Sequence, residues 1–409
     1  MKKSLIKLAL SAATVFGATT AFAGGFSTEG VNPGGALFNY KSFVVQGAIG
    51  YAMPDRRYTN GAGFSQSGVA TGSSSTKATN NYSLLSFDIK GKVNDNIDCA
   101  LRGHQPWRLE NEVSPNFVGR YEQSSFIIDS KGLDLTCSYS MDVSDNARFR
   151  VLAGARAHSL DATRTNAVTG LGLVGAGILP VAAAAAVGGV DFTNTYKFSN
   201  DDLDYGFRVG ASYEIPEYLL RAQVIYDSEI KMNLTGTQTM AAPGIPVFAL
   251  PATTSLTLPQ SISARVQSGI NETTLVFGGV KWQNWGAIKQ LNIAVANPAL
   301  NRTLTTGWRD GWTIEAGFGK KLTDDFSAQA SLTWNQGIGG GYTDTWTLAL
   351  GGAYDLDDNW RLTVGGSATL LTSSTETSTG VGGGASAVTY NQGNDWALGI
   401  GAQLQYSIR

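Results

Sequence analysis

The stretch Trp396-Ala-Leu-Gly-Ile-Gly-Ala-Gln-Leu-Gln-Tyr-Ser-Ile408 has two unlike faces. Trp396, Leu398, Ile400, Ala402, Leu404, Tyr406 and Ile408 share one parity, and Ala397, Gly399, Gly401, Gln403, Gln405 and Ser407 share the other. A period of two is the signature of a strand. An apolar face bounded by aromatics, opposite a face of small and polar residues, suits a strand with lipid outside and a hydrated lumen inside. The pattern repeats upstream. Trp360, Leu362, Val364, Gly366, Ala368 and Leu370 oppose Arg361, Thr363, Gly365, Ser367 and Thr369. Trp346, Leu348, Leu350, Gly352 and Tyr354 oppose Thr347, Ala349, Gly351 and Ala353.

Reading the same alternation toward the N-terminus predicts an all-β chain of about fourteen strands, a transmembrane antiparallel up-and-down β-barrel over residues 43–409. The strands fall near 43–53, 82–93, 97–104, 122–141, 147–158, 203–214, 218–231, 258–268, 272–283, 311–321, 326–336, 344–354, 359–371 and 395–409. Their connections alternate between short and long. The short ones, such as Val93-Asn-Asp-Asn-Ile97 and Glu214-Ile-Pro-Glu-Tyr218, carry the Asn, Asp, Gly and Pro that tight turns favour. That rhythm fits an even-stranded barrel with both termini in the periplasm. The fourth strand is long enough to suggest a bulge at Ser130-Lys131-Gly132. The aromatics support the arrangement. Trp282, Trp312, Trp334, Trp346 and Trp396 fall at loop ends, and Tyr139, Tyr213, Tyr218, Tyr354, Trp360 and Tyr406 at turn ends, giving one belt per interface.

Lys2, Lys3 and Lys7, the apolar run Leu8 to Ala18, and Ala21-Phe22-Ala23 compose a secretory signal peptide over residues 1–23. Residues 24–42 are then a short plug-like segment ahead of the first strand. The chain is nearly neutral, with net charge -2, so no nucleic-acid footprint is visible. One long apolar stretch, Ala167 to Val190, contains Pro180 and several glycines and reads as loop. Cys99 and Cys137 fall on lipid-facing parities of neighbouring strands, near the turn end. A cross-strand disulfide and two apolar thiols facing lipid both fit that placement. No Cys or His cluster has metal-ligand spacing, and neither a metal nor a cofactor is expected.

The C-terminal strands line the lumen with Gly, Ala, Ser, Thr and Gln, whereas the third to seventh point charge inward: Asp98, Arg102, Arg148, Arg150, Arg156, Arg208, Glu214 and Arg221, with His104 and His158. Internal ion pairs are the plain reading. The sharper one is that Arg156, His158 or Arg208 receives an anionic head group. The outer loops are unusually apolar. Loop 3 contains Leu171, Leu173, Ile178, Leu179 and Val181, and loop 4 contains Ile245, Val247, Phe248 and Leu250. Large exposed apolar patches usually bind something, so a hydrophobic groove between these loops is expected.

The chain resembles the long-chain fatty acid transporter (FadL-type) family of outer-membrane proteins, which includes aromatic-hydrocarbon uptake channels. The resemblance rests on Val31-Asn-Pro33, Ile49-Gly-Tyr-Ala-Met-Pro54, Gly103-His-Gln-Pro106, Leu152-Ala-Gly-Ala-Arg156, Tyr205-Gly-Phe-Arg-Val-Gly210, Leu258-Pro-Gln-Ser261, Lys281-Trp-Gln-Asn-Trp285 and Gly307-Trp-Arg-Asp310, in order along the chain. It implies a fourteen-stranded barrel with an N-terminal hatch, capture of substrate between loops 3 and 4, and sideways release where the third strand is kinked. Asn32, Pro33 and Pro106 are the gating positions it implies here. Only residues 24–42 are available for a hatch, so a reduced plug and a more open channel are expected.

The function expected is passive uptake of fatty acids or hydrocarbons by a monomer in the bacterial outer membrane, touching only its hydrophobic substrate and lipid. The alternative is a general diffusion porin with a reduced plug. An enzyme is not expected, because no nucleophile or carboxylate pair accompanies the two histidines.

Overall fold

The computed structural model describes residues 25–65, 67–200, 202–379 and 387–408. The signal-peptide reading of residues 1–23 lies outside them. The chain closes an antiparallel barrel of fourteen strands. They are β1 Phe43–Pro54, β2 Tyr82–Lys92, β3 Ile97–His104, β4 Ser125–Ser144, β5 Ala147–Thr169, β6 Asp204–Ile215, β7 Leu220–Asp227, β8 Ser261–Gly269, β9 Thr274–Gln283, β10 Gly311–Lys321, β11 Phe326–Asn335, β12 Thr345–Asp355, β13 Trp360–Leu371 and β14 Asp395–Ile408. Closure is made by β1 against β14, in register from Phe43 opposite Ile408 to Pro54 opposite Ala397. A closed barrel leaves no lipid-exposed edge whose N–H and C=O groups would go unpaired.

The faces sort as the alternation requires. In β14, Trp396, Leu398, Ile400 and Leu404 face outward, while Gln403, Gln405 and Ser407 are buried. Trp282 lies opposite Trp312 and Trp334 opposite Trp346 at one rim, and the rings of Trp360 and Tyr406 meet at 4.9 Å at the other. Cys99 stands opposite Cys137 in the β3–β4 ladder, and the two form a disulfide.

Three expectations change. The β4–β5 ladder runs unbroken through Ser130, Lys131 and Gly132, and its one register shift lies between Asp142 and Ser144. No bulge is needed at Gly132, where an added Cβ would sit 3.0 Å from the His104 ring; the glycine serves side-chain packing. The seventh strand stops at Asp227. Residues 230–242 pair instead with 245–258, so the apolar part of loop 4 is a hairpin turning at Pro243-Gly244, not an irregular loop. Finally, β5 runs on to Thr169 beyond the barrel wall and pairs with 191–199.

Within the apolar stretch Ala167 to Val190, the first three residues finish β5 and the rest contains only short helical turns, the longest Gly170–Gly175; among the described residues no helix is long and apolar enough to cross a membrane. Above the wall, segments 191–199, 230–242, 245–258, 290–295 and 302–305 extend the sheet around an apolar core that includes Leu160, Phe192, Tyr196, Met232, Leu234 and Leu256. A second, smaller sheet joins 57–65, 68–69, 76–77, 374–379 and 387–392.

Candidate functional site

The N-terminal segment, short as it is, threads the lumen. Phe26, Ser27, Glu29, Val31, Leu37 and Phe38 are all buried. Gln223 of β7 donates to Asn32 Oδ1 at 3.0 Å. Lys281 of β9 donates to the Glu29 carbonyl at 3.1 Å. The Phe38 ring lies beneath the Arg221 guanidinium, 4.4 Å away, with the Arg150 guanidinium at 5.6 Å. These partners stand on β5, β7 and β9, while the backbone of Phe26 and Thr28 pairs with Arg108 and Pro106 just past β3, six strands away from β9, so the segment bridges the bore. That differs from the open channel expected from its length. A dozen residues suffice because polar side chains on the barrel reach in to meet it.

Glu29 sits at the centre of a buried ionic cluster. Arg156 donates to Glu29 Oε2 at 3.1 Å and also approaches Asp134. Arg208 forks onto Asp227 at 2.6 and 3.1 Å and lies 3.7 Å from Glu29. His158 Nε2 is 3.1 Å from Asp134, and His104 Nε2 is 3.4 Å from it. Arg156, His158 and Arg208, the residues expected to greet a head group, are therefore brought together, but they already face Glu29, Asp134 and Asp227. Three fixed cations (Arg156, Arg208 and Lys281) meet three carboxylates. The charges balance, as burial demands.

His104, Asp134 and His158 place ligand atoms within 4.8 Å of one another, a geometry a metal ion could use. Two observations oppose it. Trp107 Nε1 donates to His158 Nδ1 at 3.4 Å, which leaves the proton of the neutral ring on Nε2, pointing at Asp134. The neighbouring guanidiniums would also repel a dication. None of this cluster shows as a motif, because its members lie on seven separate segments.

Lower down, the lumen is again filled by ion pairs. Lys90 and Arg150 share Asp98, Arg150 also holds Glu214, and Arg265 holds Glu315.

The wall itself is interrupted at β3. The β2–β3 ladder ends at Phe87 opposite Gly103. The chain then leaves the sheet through Gln105 and Pro106, and returns as Leu109–Glu112, paired to β4 on one edge and bridged on the other by residues 78–80 just ahead of β2, with Thr79 opposite Asn111. Pro106 has no N–H to offer a ladder. The displaced backbone finds other partners. Trp107 N–H donates to Ser130 Oγ at 2.8 Å. Thr28 N–H donates to Pro106 O and Arg108 N–H to Phe26 O, both at 2.9 Å. The upper part of β2 thus lacks its β3 neighbour, and a notch of about 750 Å³ opens there. Ile49, Leu85, Phe87, Leu133 and Leu404 line its lipid side; Ser86, His104 and Gln403 line its lumen side. Of the expected gating positions, Pro106 lies at this break, and Asn32 is held to β7.

At the outer end a cavity of about 620 Å³ lies between the small sheet and the loops. Tyr58, Phe117, Phe126, Trp308, Tyr342 and Tyr390 give it aromatic walls, and Gly25 borders it. Tyr58 and Tyr390 stack at 4.1 Å. Burial raises both phenols above their usual pKa, so they remain neutral. The residues expected in a loop 3–loop 4 groove divide. Leu173 is fully buried in the crown's apolar core, with Ile178, Leu179, Ile245 and Leu250 packed against it. Leu171, Val181, Val247 and Phe248 are exposed.

The family model described as "Outer membrane protein transport protein (OMPP1/FadL/TodX)" matches residues 8–338. No curated protein sequence matches the chain. Among solved structures, a Pseudomonas aeruginosa FadL homologue is similar with a TM-score of 0.76 at 17% identity, covering 96% of this chain and 99% of that one. The Ralstonia pickettii toluene transporter TbuX gives 0.63 at 13%, covering 97% and 100%. The P. putida toluene transporter TodX gives 0.62 at 14%, covering 92% and 93%. At these identities the structures speak for the fold.

Proposed function

Because the chain belongs to the OMPP1/FadL/TodX family of outer-membrane transport proteins, we propose that it carries neutral hydrophobic molecules inward, taking them from its outer loops and releasing them sideways at the β3 break. The observation that carries this reading is the notch. An apolar molecule going straight down would have to cross the buried ion pairs around Asp98, Glu214 and Glu315, stripping charges of their partners at a cost of several kcal/mol. The notch offers Leu85, Phe87 and Leu133 instead. A general diffusion pore is disfavoured, since residues 26–38 occupy the bore that water would need.

Neutral cargo is favoured over carboxylates by the charge balance. A head group aimed at Arg156, His158 or Arg208 would first have to displace Glu29. Capture begins, in this reading, at the exposed Leu171, Val181, Val247 and Phe248, and the aromatic cavity beneath the small sheet is the next station. Fatty acids and aromatic hydrocarbons are both carried by FadL-type relatives, so the test compares them: uptake of radiolabelled naphthalene and oleate by cells with and without the protein. Naphthalene uptake that depends on the protein supports the neutral class; dependence for oleate alone overturns it. Phe248→Asp is expected to weaken naphthalene binding about ten-fold while the barrel stays folded, and an unchanged affinity removes the capture patch.

A further inference from the structure

Within the break, one side chain spans the opening. The β2–β3 register, continued upward from Phe87 opposite Gly103, would set Leu85 opposite residue 105. The backbone of Gln105 has swung away, yet Leu85 N–H still finds an acceptor, at 3.0 Å: the Gln105 side-chain Oε1. The other end of the same amide donates to Asp129 Oδ1 of β4 at 3.1 Å. Gln105 therefore replaces the missing rung with its side chain, tying the loose edge of β2 across to β4. It borders the notch on the lipid side and a small enclosed hollow on the lumen side, with Ser86 and His104.

We propose that Gln105 is the latch of the lateral exit, a positioning residue whose amide holds the notch closed and whose rotation lets cargo pass between β2 and β4. This rests on the sideways-release reading above. A backbone rung cannot rotate out of the way without unzipping the ladder; an amide on a side chain can, at the cost of two exposed-edge hydrogen bonds. Asp129 stays anchored when the latch leaves, because Arg108 holds its other oxygen at 2.6 Å. Leu85 is exposed at the notch and its N–H points to where the β3 neighbour is missing, so the latch is also what satisfies it between passages.

The test uses the full-length protein in cells, with radiolabelled naphthalene and oleate in parallel and the heat-stable folded band as the check on assembly. Gln105→Ala is expected to raise the maximal uptake rate about five-fold, the worth of its two exposed hydrogen bonds at the weak end of their usual range, with half-saturation unchanged. Gln105→Glu supplies a readout that packing alone does not. Ionised at neutral pH, it can accept from Leu85 but repels Asp129, and it behaves as unlatched. Protonated below about pH 5 it can donate to Asp129 again, and its rate returns toward wild type. The charged groups around it are Asp129, Lys131, Arg108, Glu110, Arg102, His104 and Asp88; wild type carries the same set, so it serves as the control for their own titration. Ser86→Trp, which fills the notch, separates the two claims. If it blocks uptake while both Gln105 variants run at or below the wild-type rate, the latch is wrong and sideways release stands. If it transports like wild type, sideways release is wrong and the latch falls with it.

Discussion

The two sides of the barrel are built differently. Between β13 and β14 the ladder runs without interruption from Trp360 opposite Tyr406 to Leu371 opposite Asp395, and its inner face is mostly Thr, Ser, Gln and small residues, with Arg361 held by Asp355 of β12 near the turn end. Between β2 and β3 it runs only from Lys92 opposite Asp98 to Phe87 opposite Gly103, and the inner face nearby is Asp, Glu, Arg, Lys and His. The first side is a wall. Its side chains find partners on the adjacent strand, as when Thr347 meets Thr369 at 2.9 Å and Gln403 donates to Gln46 of β1 at 3.2 Å. The second side is a mechanism. Its backbone is broken, its charges reach across to the N-terminal segment, and a disulfide holds β3 to β4 just below the break. Irregularity is concentrated where passage is proposed, and the regular wall supplies the frame that tolerates it.

The contrast can be broken by mutation. Arg208→Ala on the irregular side strands Asp227 without its bidentate partner, and should cost about 3–5 kcal/mol. The thermal midpoint in detergent measures it, and a loss no larger than that of a wall variant would erase the distinction. Removing the disulfide by Cys99→Ser with Cys137→Ser should cost about 2–4 kcal/mol. If stability is unchanged, the staple is not what confines the opening to the β2–β3 seam. On the regular side, Thr347→Ala removes a single neutral hydrogen bond and should cost about 1 kcal/mol, with uptake unaltered. A transport defect there would mean that cargo travels along the wall assigned here to structure alone.

The sequence reading and the fold agree most closely where strands are regular. For β10 to β14, a strict two-residue period with a Trp near one end of every strand leaves one placement, and β12 and β14 add a Tyr at the other end. A slip of one residue would turn Gln403 and Gln405 to lipid and Leu404 to the lumen. The reading faltered at 218–231, where strand and hairpin share the same alternation and only the long-range pairing of 230–242 with 191–199 separates them. At the N-terminal segment, length is a poor measure of a plug: the reach of Arg156, Arg208, Gln223 and Lys281 toward residues 29–32 decides whether the lumen is bridged. Glu29 gives no signal, and Gln105 none beyond its place in Gly103-His-Gln-Pro106, since a lone Glu or Gln in a loop is ordinary until its partners are known.

What the chain determined by itself is the solvent each strand face must meet. Alternation, aromatic belts and the sparing use of charge are local properties, and a bilayer admits few folds that satisfy them. What only tertiary structure decided is which charges meet. Glu29, Asp134, Arg156, Arg208, Asp227 and Lys281 are scattered along the chain, and their pairing follows from barrel closure, as does the exposure of Leu85 where β3 turns away. Ion pairs and side-chain rungs depend on distances of about 3 Å between remote residues, and no spacing along a sequence encodes those.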